Sequence, residues 1–238
     1  MPWGKEQYCQ DLIKFADIVS RYDDLECISS GLGILHAIAP QFKYSPSTQL
    51  EIKDVMLTMH KKTSGTVPNE VQSLKICIDC SCDIDLKLDA NQYDIISEYS
   101  LQLEIIGYVG DKEYVNCWHL DKDIPPSAGN THNNTHPSYH FQAGGHRVEA
   151  LDTGQLLLLG APRLPHPPMD IFLAIHFVIS NFFSKKDYPF VESLFEDSDY
   201  QDILGRAKKR MFDPYFHAFK EGCTHQDFNM GKVFPLAV

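Results

Sequence analysis

The stretch LKICIDCSCDIDLKL, residues 74–88, decides the fold class because apolar and polar side chains alternate along its whole length. Leucine, isoleucine or cysteine occupies every even-numbered position, whereas lysine and aspartate dominate the odd-numbered positions. Successive side chains of a β-strand point to opposite faces of the sheet. The pattern therefore predicts a long strand with one buried and one solvated face, which is typical of an antiparallel sheet.

Four further runs extend this sheet. Residues 99–109 and 113–120 alternate in a similar way, and a glycine, an aspartate and a lysine between them predict a hairpin turn. A short strand is expected at 138–142, and a buried strand is expected at 155–159, where four leucines follow one another. The result is a predicted meander of about five antiparallel strands.

Helices are predicted on both sides of the sheet in the sequence. Apolar residues recur at three- and four-residue spacing in 6–22, and a second helix is expected over 47–62. Residues 168–183 are apolar nearly all round the helix, which predicts burial. The chain is thus predicted to be one α+β domain over 1–238, with N-terminal helices in 1–62, an antiparallel sheet in 72–160 and C-terminal helices in 168–222.

Charge and cysteine content bound the setting in which the chain works. Its 238 residues carry a formal net charge of −11, which repels nucleic-acid phosphates and anionic membranes, so non-specific nucleic-acid binding and a membrane partner are not expected. The longest apolar run, 171–183, is too short to cross a bilayer. Seven cysteines without a disulfide-type spacing indicate a reducing, cytoplasmic location.

The C-x-x-C spacing of Cys77 and Cys80 is also found in zinc and redox sites. Residues three apart on a strand point to opposite faces, however, so these two thiols cannot converge if 74–88 is a strand. Cys80 and Cys82 share the apolar face, where a thiol packs as a small apolar group. The cysteines are therefore predicted to be structural.

Histidines are concentrated between His119 and His176. Neutral imidazole is the commonest transition-metal ligand in proteins, and a divalent metal is the cofactor that this concentration suggests. The candidate metal ligands are His132, His136, His140 and His146. The alternative is a solvated histidine-rich segment beside a strand.

Two other segments supply candidate contacts to a ligand or a partner. Residues 139–147 (YHFQAGGHR) lead a polar and aromatic strand into paired glycines, and residues 161–170 (APRLPHPPMD) form a proline-rich entry to the buried helix. Arg163 could clamp a carboxylate or a phosphate, or it could hold Asp170 or a backbone carbonyl. The candidate contacts are His140, Gln142, His146, Arg147, Arg163 and His166.

The sequence from 136 to 183 resembles bacterial proteins that carry an aromatic H-F-Q-x-G-G strand followed by a P-R-x-x-H-P-P-M-D segment. Proteins of this kind often belong to anti-phage or toxin–antitoxin loci. The first functional hypothesis is accordingly a non-catalytic, protein-binding or regulatory subunit of such a system. The second is a metal-dependent hydrolase or nuclease that uses the histidine-rich segment.

Overall fold

The computed structural model describes residues 3–123, 136–144, 146–149, 151 and 163–235. Its centre is an antiparallel sheet in which each strand pairs with the next one along the chain. The α+β class and the antiparallel meander are confirmed, although the described residues form six strands where about five were predicted. The strands are β1 (Gln49–Met59), β2 (Leu74–Ile84), β3 (Ile96–Val109), β4 (Lys112–Lys122), β5 (Tyr139–Ala143) and β6 (Leu164–Pro165).

Helices lie on both sides of the sheet in the sequence, as predicted. Two of them precede β1, a single turn follows β5, and the others follow β6. The strand predicted at 155–159 lies outside the described residues. The helices are α1 (Lys5–Tyr22), α2 (Ser29–Tyr44), α3 (His146–Glu149), α4 (Ile171–Phe182), α5 (Phe190–Glu196), α6 (Ser198–Phe216) and α7 (Met230–Val233).

One face of the sheet, here called the inner face, packs against the helices. The hydroxyl of Tyr99 on β3 donates to the carbonyl of Met169 at 2.8 Å and accepts from its amide at 2.9 Å, which joins the sheet to the start of α4. The ring of Phe172 on α4 then lies 5.2 Å from Tyr8 and 5.3 Å from Phe15, both on α1. The core is therefore a stack of sheet, α4 and α1.

Cys80 and Cys82 of β2 pack into the core, as predicted. Cys80 and Cys82 are buried on the inner face, and Cys77 points to the opposite, outer face. All seven cysteines lie among the described residues, and none forms a disulfide.

The second predicted helix, 47–62, is wrong: residues Gln49–Met59 form strand β1. A β-bulge between Ile52 and Val55 shifts the register against β2, and Asp54 within it has a φ of +59°. The shift moves the buried positions from even to odd numbers, so the apolar spacing includes a step of three that imitates a helix. The N-terminal helices consequently end at Tyr44 rather than at 62.

Helix α2 packs closely against the backbone of β1, the strand at one edge of the sheet. The amide of Thr58 donates to the carbonyl of Cys27 at 2.7 Å, just before α2 begins. A Cβ added to Gly31 would lie 1.9 Å from the carbonyl oxygen of Met56. Glycine at position 31 is therefore what allows the helix to approach the strand backbone this closely.

Buried charges connect α1, α4 and α6. The guanidinium of Arg210 donates to the Asp170 carboxylate at 2.9 Å, and Asp170 also caps α4 by accepting from the amide of Leu173. Arg206 forms two hydrogen bonds with Asp11 on α1, at 2.7 and 3.0 Å. Asp170 is thus held by Arg210, not by Arg163, which was the alternative considered from the sequence.

The stability of the protein should fall as the pH falls from about 6.5 to 4, because the half-buried His176 remains neutral in the folded protein. Burial, and to a smaller extent the charge of Lys208, lower the pKa of His176 on α4 to about 4, whereas an unfolded histidine has a pKa of about 6.5. Between these values the unfolded chain binds a proton that the folded chain does not, so acid favours unfolding. Thermal melts of His176→Gln should depend less on pH in this window than those of the wild type. The exposed His60→Gln serves as the control, and an equal slope in all three proteins would contradict the assignment.

None of the helices within the described ranges combines the length and the apolar character that crossing a bilayer requires.

Candidate functional site

Histidines and aspartates converge on the outer face where β4 and β5 pair. Register places His119 of β4 opposite Gln142 of β5, and Asp121 opposite His140. His136 and Asp123 flank the two strands at the same end and approach each other to 3.2 Å, between Nδ1 and Oδ1. We call His119, Asp121, Asp123, His136 and His140 the His–Asp cluster.

Asp121 is held in place by its neighbours in the sheet. Its Oδ1 accepts a hydrogen bond from Ser100 Oγ on β3 at 2.8 Å, and its Oδ2 lies 3.6 Å from Nε2 of His119. The antiparallel ladder brings these three residues together because β3 and β4 place Ser100 directly opposite Asp121. The carboxylate is therefore oriented before any ligand binds.

His140 is the most deeply buried residue of the cluster. Its exposed fraction is 6%, and its ring lies 5.6 Å from the ring of His136 in a nearly perpendicular arrangement. Burial lowers the pKa of His140, and the nearby charge of Arg163 lowers it further, while Asp121 acts in the opposite direction. The neutral imidazole is thus favoured at neutral pH.

Nδ1 of His140 forms no hydrogen bond of normal geometry, although the carbonyl of Pro137 lies close enough to favour the protonated ring. Arg163 lies on the same face and close enough for its charge to act on His140, since β6 pairs Pro165 with His140 and side chains two residues apart share a face. Nε of Arg163 is also buried and has no hydrogen-bond partner. His140 and Arg163 thus each have one buried nitrogen without a hydrogen-bond partner.

The residues predicted from the sequence to contact a ligand or partner do not all lie near the His–Asp cluster. His140, Gln142 and Arg163 share the outer face of β5 and β6. His166 lies on the other side of the sheet, where its ring is 5.7 Å from Phe141 and its Nδ1 is 2.6 Å from the carbonyl of Pro167. That contact suits a scaffolding role in the proline-rich segment.

The structure describes the side chains of only some of the predicted metal ligands. His136 and His140 approach each other, His132 lies outside the described residues, and the structure describes the backbone of His146 and Arg147 but not their side chains. The metal-dependent hydrolase or nuclease stays a prediction. Stoichiometric zinc, manganese or nickel in the purified protein would favour it.

A different group of potential metal ligands lies further along the outer face. Among the described residues, Asp54, Cys77 and Asp79 are the three whose ligand atoms all lie within 4.8 Å of one another. The bulge in β1 turns the amide of Asp54 toward Asp79 Oδ1, at 2.7 Å. Burial and the surrounding carboxylates raise the pKa of the Cys77 thiol to about 12, so the thiol is protonated at neutral pH. The sequence placed Cys77 and Asp79 on one face but could not place Asp54, because the bulge was missed.

The inner face carries a large groove at the β3–β4 hairpin end of the sheet, beyond the helical core. Its volume is about 1180 Å³, and the segment 63–71 forms one wall. Aromatic side chains from β4, β5 and α4 line it: Tyr114, Trp118, Phe141, Phe177 and Phe182. We call this the aromatic groove. No sequence motif predicted it, because its walls come from five separate parts of the chain.

The comparisons with known proteins add no assignment. No protein-family model, curated protein or solved structure matches the chain.

Proposed function

We propose that this chain is a non-catalytic, protein-binding subunit whose aromatic groove takes up an amphipathic helix of a partner protein. The observation that carries the proposal is the groove itself, a concave surface of about 1180 Å³ with aromatic side chains along it. Exposed apolar concavities of this kind mark interaction sites, because a protein gains nothing from leaving such surface in water. A regulatory role in a bacterial anti-phage or toxin–antitoxin system is the wider context proposed from the sequence.

The size of the groove favours a peptide segment over a small molecule. Pockets for small ligands have volumes of roughly 300–1,000 Å³ and enclose most of the ligand, and this groove is larger than that range. An amphipathic helix inserts several side chains at helical spacing into such a groove. The aromatic side chains supply the large contact areas on which such interfaces usually depend.

Polar residues at the rim require a partner with a polar face as well. Lys112 and Glu113 of β4, together with Asn181 of α4, line the groove beside its aromatic residues. A purely apolar occupant would leave these groups without water or hydrogen bonds, which is unfavourable.

The variant Asn116→Glu should weaken binding of such a helix by at least about tenfold, because it places a charge where apolar side chains dock. Asn116 is exposed and lies opposite Ile105 on the inner face, so the change should leave the fold intact. Helical peptides selected from a display library against the wild-type protein provide the ligands. Emission from Trp118 reports their binding, because this indole lines the groove and the second tryptophan, Trp3, is buried.

The matched control is Gln10→Glu, which adds the same charge on the exposed side of α1. We expect selected peptides to share apolar residues at i, i+3, i+4 and i+7, to bind wild type and Gln10→Glu equally, and to lose affinity for Asn116→Glu. Peptides without that spacing, or with equal affinity for all three proteins, would overturn the proposal. A library that yields no binder would overturn it too, since it would indicate that residues of this chain already occupy the groove.

A further inference from the structure

We propose that the C-terminal end of helix α6 is a second docking surface, which binds an acidic segment of a partner protein that also carries apolar residues. This surface combines aromatic rings that remain exposed at the end of the helix with lysines that form no ion pair with a described carboxylate. None of these residues lines the aromatic groove, so the surface is separate from the proposed function.

Three phenylalanines form a stripe along the end of α6 and the 3₁₀ turn that follows it, His217–Phe219. Phe212, Phe216 and Phe219 are four and three residues apart, a spacing that places side chains on one face of a helix. Each ring centroid lies 6.1 Å from the next. Phe216 is 46% exposed and Phe219 is 52% exposed. Adjacent exposed rings mark an interaction site, because exposed apolar residues on a protein surface are usually scattered singly.

The lysines come from the most basic stretch of α6, which packing divides in two. Arg206 and Arg210 bind the buried aspartates of α1 and α4. Lys208 and Lys209 are exposed, and neither forms an ion pair with a carboxylate that the structure describes. They lie four and three residues before Phe212, so both stand beside the stripe, one helical turn earlier.

A third lysine stands at the other end of the stripe. Lys220 directly follows Phe219, is exposed, and likewise has no ion-pair partner among the described residues. Two carboxylates are near in the sequence: Asp213, which lies close enough to His217 for its charge to act there, and Glu221, beyond Lys220 in the chain. Three lysines against these two carboxylates leave the surface cationic, in a chain whose net charge is −11.

Charge complementarity selects the chemistry of the partner. Carboxylates over the lysines steer the partner toward the patch, while apolar side chains cover Phe216 and Phe219 and remove their rings from water. A second copy of this chain does not fit, because a symmetric contact would bring the lysines of one α6 against those of the other. An anionic membrane does not fit either, because a bilayer faces a broad area of this acidic protein, whereas a peptide contacts only the patch.

The length of the stripe sets the spacing of the acidic residues in the partner. Lys209 and Lys220 are separated by roughly 17 Å along the axis, since a helix rises about 1.5 Å per residue. An extended segment rises about 3.3 Å per residue, so acidic residues about five positions apart reach both cationic ends. Apolar residues between them then face the rings.

The test uses two displayed peptide libraries that differ only in charge. Each peptide has four random residues between two glutamates on either side in the first library, and between two lysines on either side in the second. Fluorescence anisotropy then measures the selected peptides against the wild type and its variants. We expect binders that depend on Phe219 from the glutamate library alone, with apolar central residues and an affinity that falls as sodium chloride screens the lysines.

The variant Phe219→Gln should weaken these peptides at least about tenfold, since it removes the most exposed ring of the stripe. Combining Lys208→Glu with Lys209→Glu should also weaken them at least about tenfold, because like charges then face each other. Lys185 and Lys186, an exposed lysine pair in the loop after α4, supply the matched control, and the same reversal there should leave the affinity unchanged.

Glutamate-library binders that lose affinity in the first two variants and keep it in the control support the surface. The absence of such binders would overturn it, as would lysine-library peptides that depend equally on Phe219. Co-sedimentation with phosphatidylserine vesicles that is lost in Phe219→Gln would overturn the assignment to a protein segment. The peptides should also bind Asn116→Glu at full strength, and a loss there would instead assign them to the aromatic groove, so the two proposals can fail separately.

Discussion

Replacing Arg210 with methionine is expected to lower the free energy of unfolding by about 3–5 kcal/mol, which is the usual cost of removing one partner from a buried ion pair. Arg210 is 4% exposed, and it lies between two aspartates, Asp11 and Asp170, that are almost completely buried. Burial raises the pKa of Asp170, and Arg210 opposes that effect. Without the guanidinium, the Asp170 carboxyl must either remain as an uncompensated buried charge or take up a proton.

The same substitution removes a second contribution. The Arg210 guanidinium lies over the ring of Tyr8, with its central carbon 4.9 Å from the ring centroid, so the methionine also loses a cation–π contact. Urea denaturation followed by circular dichroism measures the change. Lys209→Met, one residue earlier on the exposed side of α6, is the control and should change stability by no more than about 0.5 kcal/mol. Equal losses in both variants would show that the buried charges are not what stabilises this contact.

The variant Gly31→Ala should destabilise the protein by about 1–3 kcal/mol, the cost of overpacking a well-packed contact. The added methyl group would lie 1.9 Å from the carbonyl oxygen of Met56, a position that no real Cβ occupies, so α2 must move away from β1. Backbone atoms form the obstacle, and they cannot rotate aside as a side chain can.

Gly33→Ala on the same helix is the matched control with the opposite expected sign. Apart from its own stretch of helix, no atom lies within 4 Å of its added Cβ, and the residue is exposed. Alanine in a helix interior is favoured over glycine by about 0.5–1 kcal/mol, so this variant should be stabilised by up to that amount. Thermal melts of the two variants should therefore shift in opposite directions, and a shift of Gly31→Ala toward stability would contradict the close approach of α2.

The spacing of apolar residues correctly predicted those strands and helices whose pattern is uninterrupted. The alternation of 74–88 predicted β2, and the apolar surface of 168–183 predicted a buried helix that the structure has at Ile171–Phe182. Strand β1 was missed because the bulge at Asp54 interrupts the alternation, and a side chain in positive φ leaves no signal in the pattern. A strand with a bulge therefore looks more like a helix than like a strand when only apolar spacing is read.

The candidate sites depend on the register between paired strands, and this register cannot be predicted from the spacing of residues in the sequence. His140 and Arg163 were each singled out from their own segments, but only the pairing of β5 with β6 places them on the same face of the sheet. Likewise, His166 had the same chemistry as His140, yet it lies on the other face. The aromatic groove joins residues from β4 to those of α4, and no local pattern connects such distant positions.

The packing of α2 against the edge strand β1 also affects whether copies of this chain associate with one another. An exposed edge strand offers unpaired amides and carbonyls to the edge of another molecule, and such pairing can spread into aggregates. Here the amide of Thr58 is already bonded to Cys27, and the bulge at Asp54 interrupts the remainder of the edge. A helix that retreats in Gly31→Ala would uncover this backbone, so that variant should precipitate at concentrations where Gly33→Ala remains in solution.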